Sequence, residues 1–242
     1  MINTDVVYQR VLSLANKEQR GYITPQEFNL FANQAQMDIF EQYFYDLNQF
    51  RRIPGNNTMY ADPVDMIEEK IEHFHKSQTL NAESAGGSSI FDTNDLAHGL
   101  YRLSQVRFNN TNVTPAVGVK VEKTTHDKFT LSKNSPLTKP TLTRPSYYFK
   151  ENKIVVLPSS IGQIDVNYIR KPKPVKWSYI VVGEKPVANL NASDYQSFEL
   201  HPSEETKLVM KILQLAGIAI KDPNLYQIAG AEDNKNIQQE KQ

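Results

Sequence analysis

The chain of 242 residues contains no cysteine, which excludes a disulfide framework, a zinc-thiolate site, an iron-sulfur cluster and a cysteine nucleophile. Glycine is scarce, at 10 residues, and neither a GxGxxG motif nor a Walker-type phosphate loop occurs. No stretch approaches the roughly 18 apolar residues that a membrane-spanning helix needs. The first ten residues, MINTDVVYQR, lack the basic and apolar regions of an export signal. We therefore expect a protein made and used in a reducing cytoplasm, with no membrane partner.

Aromatic residues are plentiful by contrast, with 12 Tyr and 11 Phe, and charged residues make up 22% of the chain. This composition is typical of a folded globular protein rather than a disordered one. The formal net charge of zero hides a division along the sequence. Lys and Arg against Asp and Glu give −7 over residues 1–101, +10 over 102–176 and −3 over 177–242. Three interpretations remain open: a basic face for nucleic acid, a solvated mixture, or opposite surfaces that meet on neighbouring subunits.

The N-terminal part, residues 1–98, is predicted to be helical up to about Ser77. Its clearest signal is ITPQEF at residues 23–28, in which Thr24 caps a helix that starts at Pro25 and Glu27 completes a capping box. Apolar residues at mixed spacings of three and four extend this helix for some 25 residues. Another helix begins at Pro63. Residues 77–98, rich in Ser, Asn and Gly, show no periodicity and are predicted to be a flexible loop.

Residues 99–200 are predicted to form antiparallel strands, because the hydrophobic period changes to two from Leu100 onward. Glu151 and Asn152 are the expected turn between two paired strands. Residues 201–242 return to helix, with Ser203 as the N-cap and Gly217 as the stop, before a polar tail. We therefore predict an α+β fold: a helical bundle built from both chain ends, and an antiparallel β-sandwich or barrel-like layer.

Catalytic and metal-binding patterns are weak in this sequence. Residues 16–27 overlay a calcium loop, but Arg20 occupies a position that needs an oxygen ligand. His73 and His75 would lie about 200° apart on a helix, so they are predicted not to share a metal. No serine lies in a GxSxG elbow. We expect no cofactor, no metal and no enzymatic activity, while a calcium-regulated interaction domain stays a testable alternative.

The strongest candidate contact residues lie in RKPKPVKW at residues 170–177. Four cations and one aromatic ring, at Arg170, Lys171, Lys173, Lys176 and Trp177, are close enough in sequence to bind phosphates and stack on a base. The two prolines favour the other interpretation, a stiff extended arm with solvated cations. The residues therefore leave open a DNA-facing surface and a structural arm.

Three stretches together resemble virion structural proteins of short-tailed bacteriophages, especially the crAss-like group and related marine phages. They are NKEQRGYITPQEFNLFANQAQMDIFEQYFYDLN near the start, PSYYFKENKIVVLP with IDVNYIRKPKPVKW in the middle, and SFELHPSEETKLVMKILQLAGIAIKDPNLYQIA near the end. The resemblance implies a head-to-tail ring, or neck, protein with tail tubular or adaptor-like architecture. It further implies a cyclic homo-oligomer of twelve copies below the portal, contacting adjacent ring or tail proteins.

The same resemblance implies that genomic DNA passes through the ring without sequence recognition and that the protein resides in the virion after synthesis in the host cytoplasm. A ring built from head-to-tail contacts needs two different complementary patches on each subunit, and segments of opposite charge would supply them. The alternative, drawn from the residues themselves, is a sequence-independent DNA-binding module that uses the basic segment 102–176.

Overall fold

The computed structural model describes residues 1–17, 23–50, 63–85, 88–110, 117–183 and 185–219. Over this part the chain has a mixed α+β fold, which confirms the predicted class. It divides into two compact units: residues 1–72 with 172–242, here the helical unit, and residues 73–171, here the β unit.

The helical unit contains four of the described α-helices and one two-stranded hairpin. The helices are α1 (Thr4–Lys17), α2 (Pro25–Phe50), α3 (Pro63–Glu72) and α5 (Glu205–Ala219), and the hairpin pairs β10 (Tyr179–Val182) with β11 (Lys185–Ala188). Helix α5 packs against α1 and α2, and α3 also packs against α2. Their buried faces carry large apolar side chains, including Tyr8, Phe28, Phe40, Leu208 and Ile212.

The predicted start of α2 is confirmed in atomic detail. The Glu27 backbone N–H donates to Thr24 Oγ1 at 3.3 Å, and the Thr24 backbone N–H donates to Glu27 Oε2 at 2.9 Å. This is the reciprocal capping box, which satisfies helix-terminal donors that have no partner within the helix.

The described part of the β unit contains two sheets, one α-helix and the short 3-10 helix Thr93–Asp95. One sheet has the order β1-β9-β4-β5 and the other β2-β3-β8-β7-β6, antiparallel throughout except that β6 and β7 are parallel. The strands are β1 (His75–Asn81), β2 (Glu83–Ala85), β3 (Ser88–Asp92), β4 (Leu100–Asn110), β5 (Val117–Lys120), β6 (Glu122–Lys123), β7 (Ser146–Lys150), β8 (Lys153–Leu157) and β9 (Gln163–Arg170), and α4 is His126–Asn134. One apolar cluster combines side chains of both sheets, among them Phe91, Phe108, Ile154, Val156 and Val166.

The turn predicted between β7 and β8 is confirmed. Glu151 and Asn152 both have positive φ, at 46° and 58°, which is the backbone of the tight two-residue hairpin turn that asparagine favours.

The prediction of a loop over residues 77–98 is wrong. Residues 75–81 pair with β9, and residues 89–92 pair with β8. Strand β1 is an edge strand whose side chains are mostly exposed, so its sequence, HKSQTLN, shows no hydrophobic alternation even though every residue of it pairs with a residue of β9. The helical assignment is confirmed by α1, α2 and α3 over its described residues, but it extends too far toward Ser77, since α3 ends at Glu72 and His75 already lies in β1.

Two predicted features of the C-terminal helix are also corrected. Ser203 lies inside a short 3-10 helix, Pro202–Glu204, whose N-cap is His201, and α5 follows directly. Gly217 does not stop α5, which continues to Ala219 with Gly217 buried in its packed face. Burial against neighbouring side chains therefore outweighs the modest helix cost of this glycine. The predicted last helix and polar tail, and the glycine of the calcium-like loop, lie outside the described residues.

We predict that Thr24→Ala lowers the free energy of unfolding by about 1 kcal/mol, as is usual for loss of an N-cap, whereas Thr24→Ser retains it. The Thr24 backbone N–H, and to a smaller extent the Thr24 hydroxyl, donate to Glu27 and lower its pKa from the ordinary value of 4.5, and Thr24→Ala removes the hydroxyl contribution alone. A carboxylate with a lowered pKa stabilises the folded state above its unfolded pKa and loses that effect as the pH falls. Urea unfolding should therefore show a difference between wild type and Thr24→Ala that narrows below pH 4.5, and a difference independent of pH would contradict this account.

Candidate functional site

The basic-aromatic run at residues 170–177 does not form one exposed patch. Arg170, at the end of β9, is only 4% exposed. Its guanidinium lies over the Phe74 ring at 5.4 Å, donates from Nη1 to the Lys171 carbonyl oxygen, and lies 3.1 Å from His73 Nε2. A cation packed on an aromatic ring is held in place by the protein itself. The expectation that Arg170 faces DNA is therefore wrong, whereas the neighbouring Lys171 side chain is exposed.

Residues 172–178 form an extended segment, here the strap, that runs along α2. Asn29 and Asn33, one turn apart on α2, each accept from a strap N–H and donate to a strap carbonyl. Asn33 binds Val175 at 2.7 and 2.9 Å, and Asn29 binds Trp177 at 2.8 and 3.3 Å. These two amides therefore act like a partner strand for the strap backbone.

We call these side-chain hydrogen bonds from α2 to the strap the amide ladder. Its spacing follows from the rise per residue of a helix and of an extended chain. Four helical residues advance about 6 Å, and two extended residues advance about 6.6 Å, so amides one turn apart meet alternate strap residues. Gln36, three residues further along α2, continues the pattern by donating to the Lys173 carbonyl at 2.9 Å. The Lys173 N–H donates to Glu199 Oε2 at 2.8 Å. Pro172 and Pro174 fall between these bonded positions, where no donor is needed.

Trp177 is a core residue of the helical unit and is 1% exposed. Its ring packs on Tyr8 at a centroid distance of 4.1 Å and stacks on Tyr179 at 5.6 Å, and its Nε1–H donates to Asp5 Oδ1 at 3.0 Å. The expectation that this ring stacks on a base is wrong, because both its face and its donor are engaged within the fold.

The two remaining cations of the run project from the strap into solvent. Lys176 Nζ lies 2.6 Å from Asp194 Oδ2, and its backbone pairs with Gln196 on the side opposite α2. Hydrogen bonds from Lys176 and then Ser178 lower the pKa of Asp194. The Lys173 side chain is exposed. The structural-arm interpretation therefore describes this segment better than the DNA-facing one.

The strap leads directly into the hairpin of β10 and β11, and this hairpin exposes several large apolar side chains. Ile180, Val181 and Val182 are 51%, 66% and 57% exposed. Paired residues share one face of an antiparallel ribbon. Val181 with Pro186 therefore lies on one face, and Ile180 with Val187 on the other.

Both faces of this hairpin are thus apolar and exposed. A strand apolar on both faces is normally found where other elements cover both sides. Exposed apolar patches of this kind mark interaction surfaces. The sequence carried the signal: YIVV is an unbroken apolar run, without the alternation of a half-buried strand.

The root of the hairpin is held by a backbone hydrogen bond and a ring contact. The Asn189 N–H donates to the Ser178 carbonyl at 2.8 Å, and Tyr179 stacks on the buried Trp177. At the tip, Gly183 has a φ of +54°, a conformation that L side chains rarely adopt. The strap therefore presents the apolar ribbon from a rigid base.

Among the described residues, no group of three His, Asp or Glu side chains is placed to hold a metal ion. The helices of the described ranges include none with both the length and the apolar character to cross a bilayer. No protein-family model matches the chain, and no curated protein matches it either.

We predict that Asn33→Ala destabilises the helical unit by about 2 to 6 kcal/mol, because it leaves the Val175 N–H and carbonyl without partners, each at a cost of about 1–3 kcal/mol. The chain has a single tryptophan, so fluorescence at Trp177 reports strap detachment as a red shift during urea unfolding. Gln34→Ala, on the exposed face of the same helix, is the matched control. Equal stability of the two variants would show that the amide ladder contributes nothing to the free energy of unfolding.

Proposed function

We propose that this chain is a virion structural protein, one subunit of a homo-oligomeric ring in the head-to-tail connector, or neck, of a short-tailed bacteriophage. Its partners are further copies of itself, the portal, adjacent ring or tail proteins, and genomic DNA that passes through the lumen without sequence recognition. Such a role involves no catalytic step and no cofactor. The observation that carries the proposal is the β10–β11 hairpin, whose described side chains are apolar and exposed on both faces.

The proposed architecture is a bundle of helices from both chain ends with a β-sandwich. The packing of α5 on α1 and α2 supports the bundle, and the apolar cluster shared by the two sheets supports the sandwich. This is the arrangement that the resemblance to neck proteins implies, and the resemblance is what makes a neck ring the preferred assembly.

Charge favours a second copy as the partner of the hairpin. The β unit has 13 Lys and Arg against 7 Asp and Glu, and the helical unit has 14 against 20. The two units therefore carry formal charges of +6 and −6. Opposite patches on one chain favour a head-to-tail contact, in which the helical unit of one copy meets the β unit of the next.

The β unit also offers apolar side chains for such a contact. Leu131 on α4, Leu137 after it, and Phe149 on β7 are 74%, 93% and 42% exposed. Apolar groups within a field of opposite charge give an interface both area and register. A heterologous contact of this kind repeats around an axis and closes when the rotation permits.

We predict that Ile180→Asp abolishes self-association of the purified chain, because it places a charge at the centre of the apolar ribbon. Native mass spectrometry and negative-stain images should show closed rings for the wild type and monomers for the variant. Leu30→Asp makes the same change at a position on α2 that is 71% exposed, and it should leave the rings intact. The emission of Trp177 shows that both variants are folded.

Two results would overturn the proposal. One is a wild-type chain that stays monomeric at every concentration, also when mixed with its portal; the other is loss of assembly to the same degree in Leu30→Asp and Ile180→Asp. Localisation of the protein in the virion away from the head-tail junction would refute the neck assignment while leaving self-association intact.

The second candidate function is sequence-independent DNA binding through residues 102–176, and the +6 charge of the β unit favours it. The burial of Arg170 weakens it, because that cation is not available to a phosphate. Binding through phosphates weakens steeply with salt. Fluorescence anisotropy of a labelled duplex across a salt series tests this candidate, and absence of binding at low salt rejects it.

A further inference from the structure

We propose that the β unit contains a binding site for a phosphate oxyanion, in the pocket between α4, the segment 135–145 and the start of β7. The pocket has a volume of about 240 Å³, and this inference does not rest on the proposed ring. Its lining consists of Glu122, Thr124, Lys128, Ser132, Leu137, Thr138, Lys139, Pro140, Arg144 and Ser146. We call it the β-unit pocket.

Three cations and four hydroxyl side chains share this small space. Lys128, Lys139 and Arg144 make no ion pair with any described residue. Glu122 supplies the one carboxylate of the lining, so the formal charge around the pocket is +2. Cations and hydroxyl donors around a concave space are the chemistry that binds a phosphate group.

Backbone hydrogen bonds hold two of the cationic residues, Arg144 and Lys139, in separate turns of the chain. Arg144 exchanges two backbone hydrogen bonds with Thr141, at 3.1 and 3.3 Å, and the Lys139 N–H donates to the Ser135 carbonyl at 3.1 Å. On α4, Lys128 and Ser132 are four residues apart and therefore lie on the same face. Three separate parts of the chain thus bring charge to one place.

Ser146 is the independent observation that points to a ligand. It is 7% exposed and lines the pocket, yet its Oγ has no hydrogen-bond partner. The hydroxyls of Thr124 and Ser132 donate instead to the carbonyls of Tyr147 and Phe129. A buried hydroxyl without a partner is costly and rare in a folded protein. Ser146 lines the pocket, and rotation about its Cα–Cβ bond would turn this hydroxyl toward a phosphate oxygen there.

Ligands with this chemistry include inorganic phosphate, a phosphorylated small molecule, and the backbone phosphate of nucleic acid. The shared feature is a tetrahedral oxyanion with several acceptor oxygens, which suits Arg144 in particular because a guanidinium binds phosphate with two parallel hydrogen bonds. The first probe is therefore inorganic phosphate alone, and the second is a short DNA duplex.

The test titrates inorganic phosphate into the ¹⁵N-labelled full chain at constant ionic strength and follows amide shifts. We expect saturable shifts confined to residues 122–147, and an affinity about tenfold weaker in Arg144→Gln, because one charge-assisted hydrogen-bond pair is lost. Lys133→Gln is the matched control. Lys133 is an exposed residue of α4 outside the pocket lining, and its substitution also removes one positive charge. This variant should bind phosphate like the wild type.

Ser146→Ala separates a ligand-binding role from a structural one. A hydroxyl that has no partner in the free protein contributes nothing to the fold, so this variant should unfold at the same urea concentration or higher. Its affinity for phosphate should fall severalfold. Wild-type affinity in Ser146→Ala would remove the observation on which the site depends and would overturn the proposal.

Titration with the DNA duplex identifies the source of the phosphate. Duplex binding that weakens in Arg144→Gln but not in Lys133→Gln would assign the pocket to the nucleic acid backbone. Phosphate binding without duplex binding would assign it to a free or small-molecule phosphate. No saturable shift with phosphate, or equal losses in Arg144→Gln and Lys133→Gln, would show that no discrete site exists. None of these results depends on self-association, which is measured separately.

Discussion

The helical unit depends on one unusual interaction: side-chain amides of α2 hydrogen-bond an extended backbone as a neighbouring strand would. Asn29 and Asn33 satisfy both the donor and the acceptor of alternate strap residues. Buried backbone groups that lack partners are costly, so a segment that leaves a sheet must find them elsewhere. Here the helix supplies them, which lets the chain cross an apolar surface without forming a strand.

The hydrogen bonds between α2 and the strap also position the apolar β10–β11 hairpin, the surface on which the proposed function rests. The strap anchors Trp177 between Tyr8 and Tyr179, and the hairpin of β10 and β11 begins directly after it. An isolated two-stranded ribbon is marginally stable in water. A rigid root and a covering partner are two ways of stabilising it, and the fold provides the first.

The charges of this protein are separated between its two units. A formal charge of zero arises from +6 on one unit and −6 on the other. Such a separation influences association rates and register more than affinity, which is what the proposed head-to-tail contact requires. Part of the positive charge gathers at the β-unit pocket, which is lined by three cations that make no ion pair with any described residue.

Local signals in the sequence determined the elements whose physics is local. The capping box at Thr24 and Glu27 and the turn at Glu151 and Asn152 follow from side-chain chemistry within a few residues, and both were predictable. Strand β1 was not, because it is an edge strand whose exposed side chains show no period while its backbone pairs with β9.

Only the tertiary structure decided which cations and aromatics are available. The run at residues 170–177 has the composition of a nucleic-acid contact, yet the polar partners that fix its conformation come from α2, about 140 residues earlier in the chain. The β-unit pocket shows the reverse case: Lys128, Arg144 and Ser146 form no motif, and the fold alone places them around one space. Spacing in the sequence shows which residue types lie near one another along the chain. Which of them are buried, and which meet around one pocket, is decided when distant segments pack together, so these two properties could not be determined from the sequence by itself.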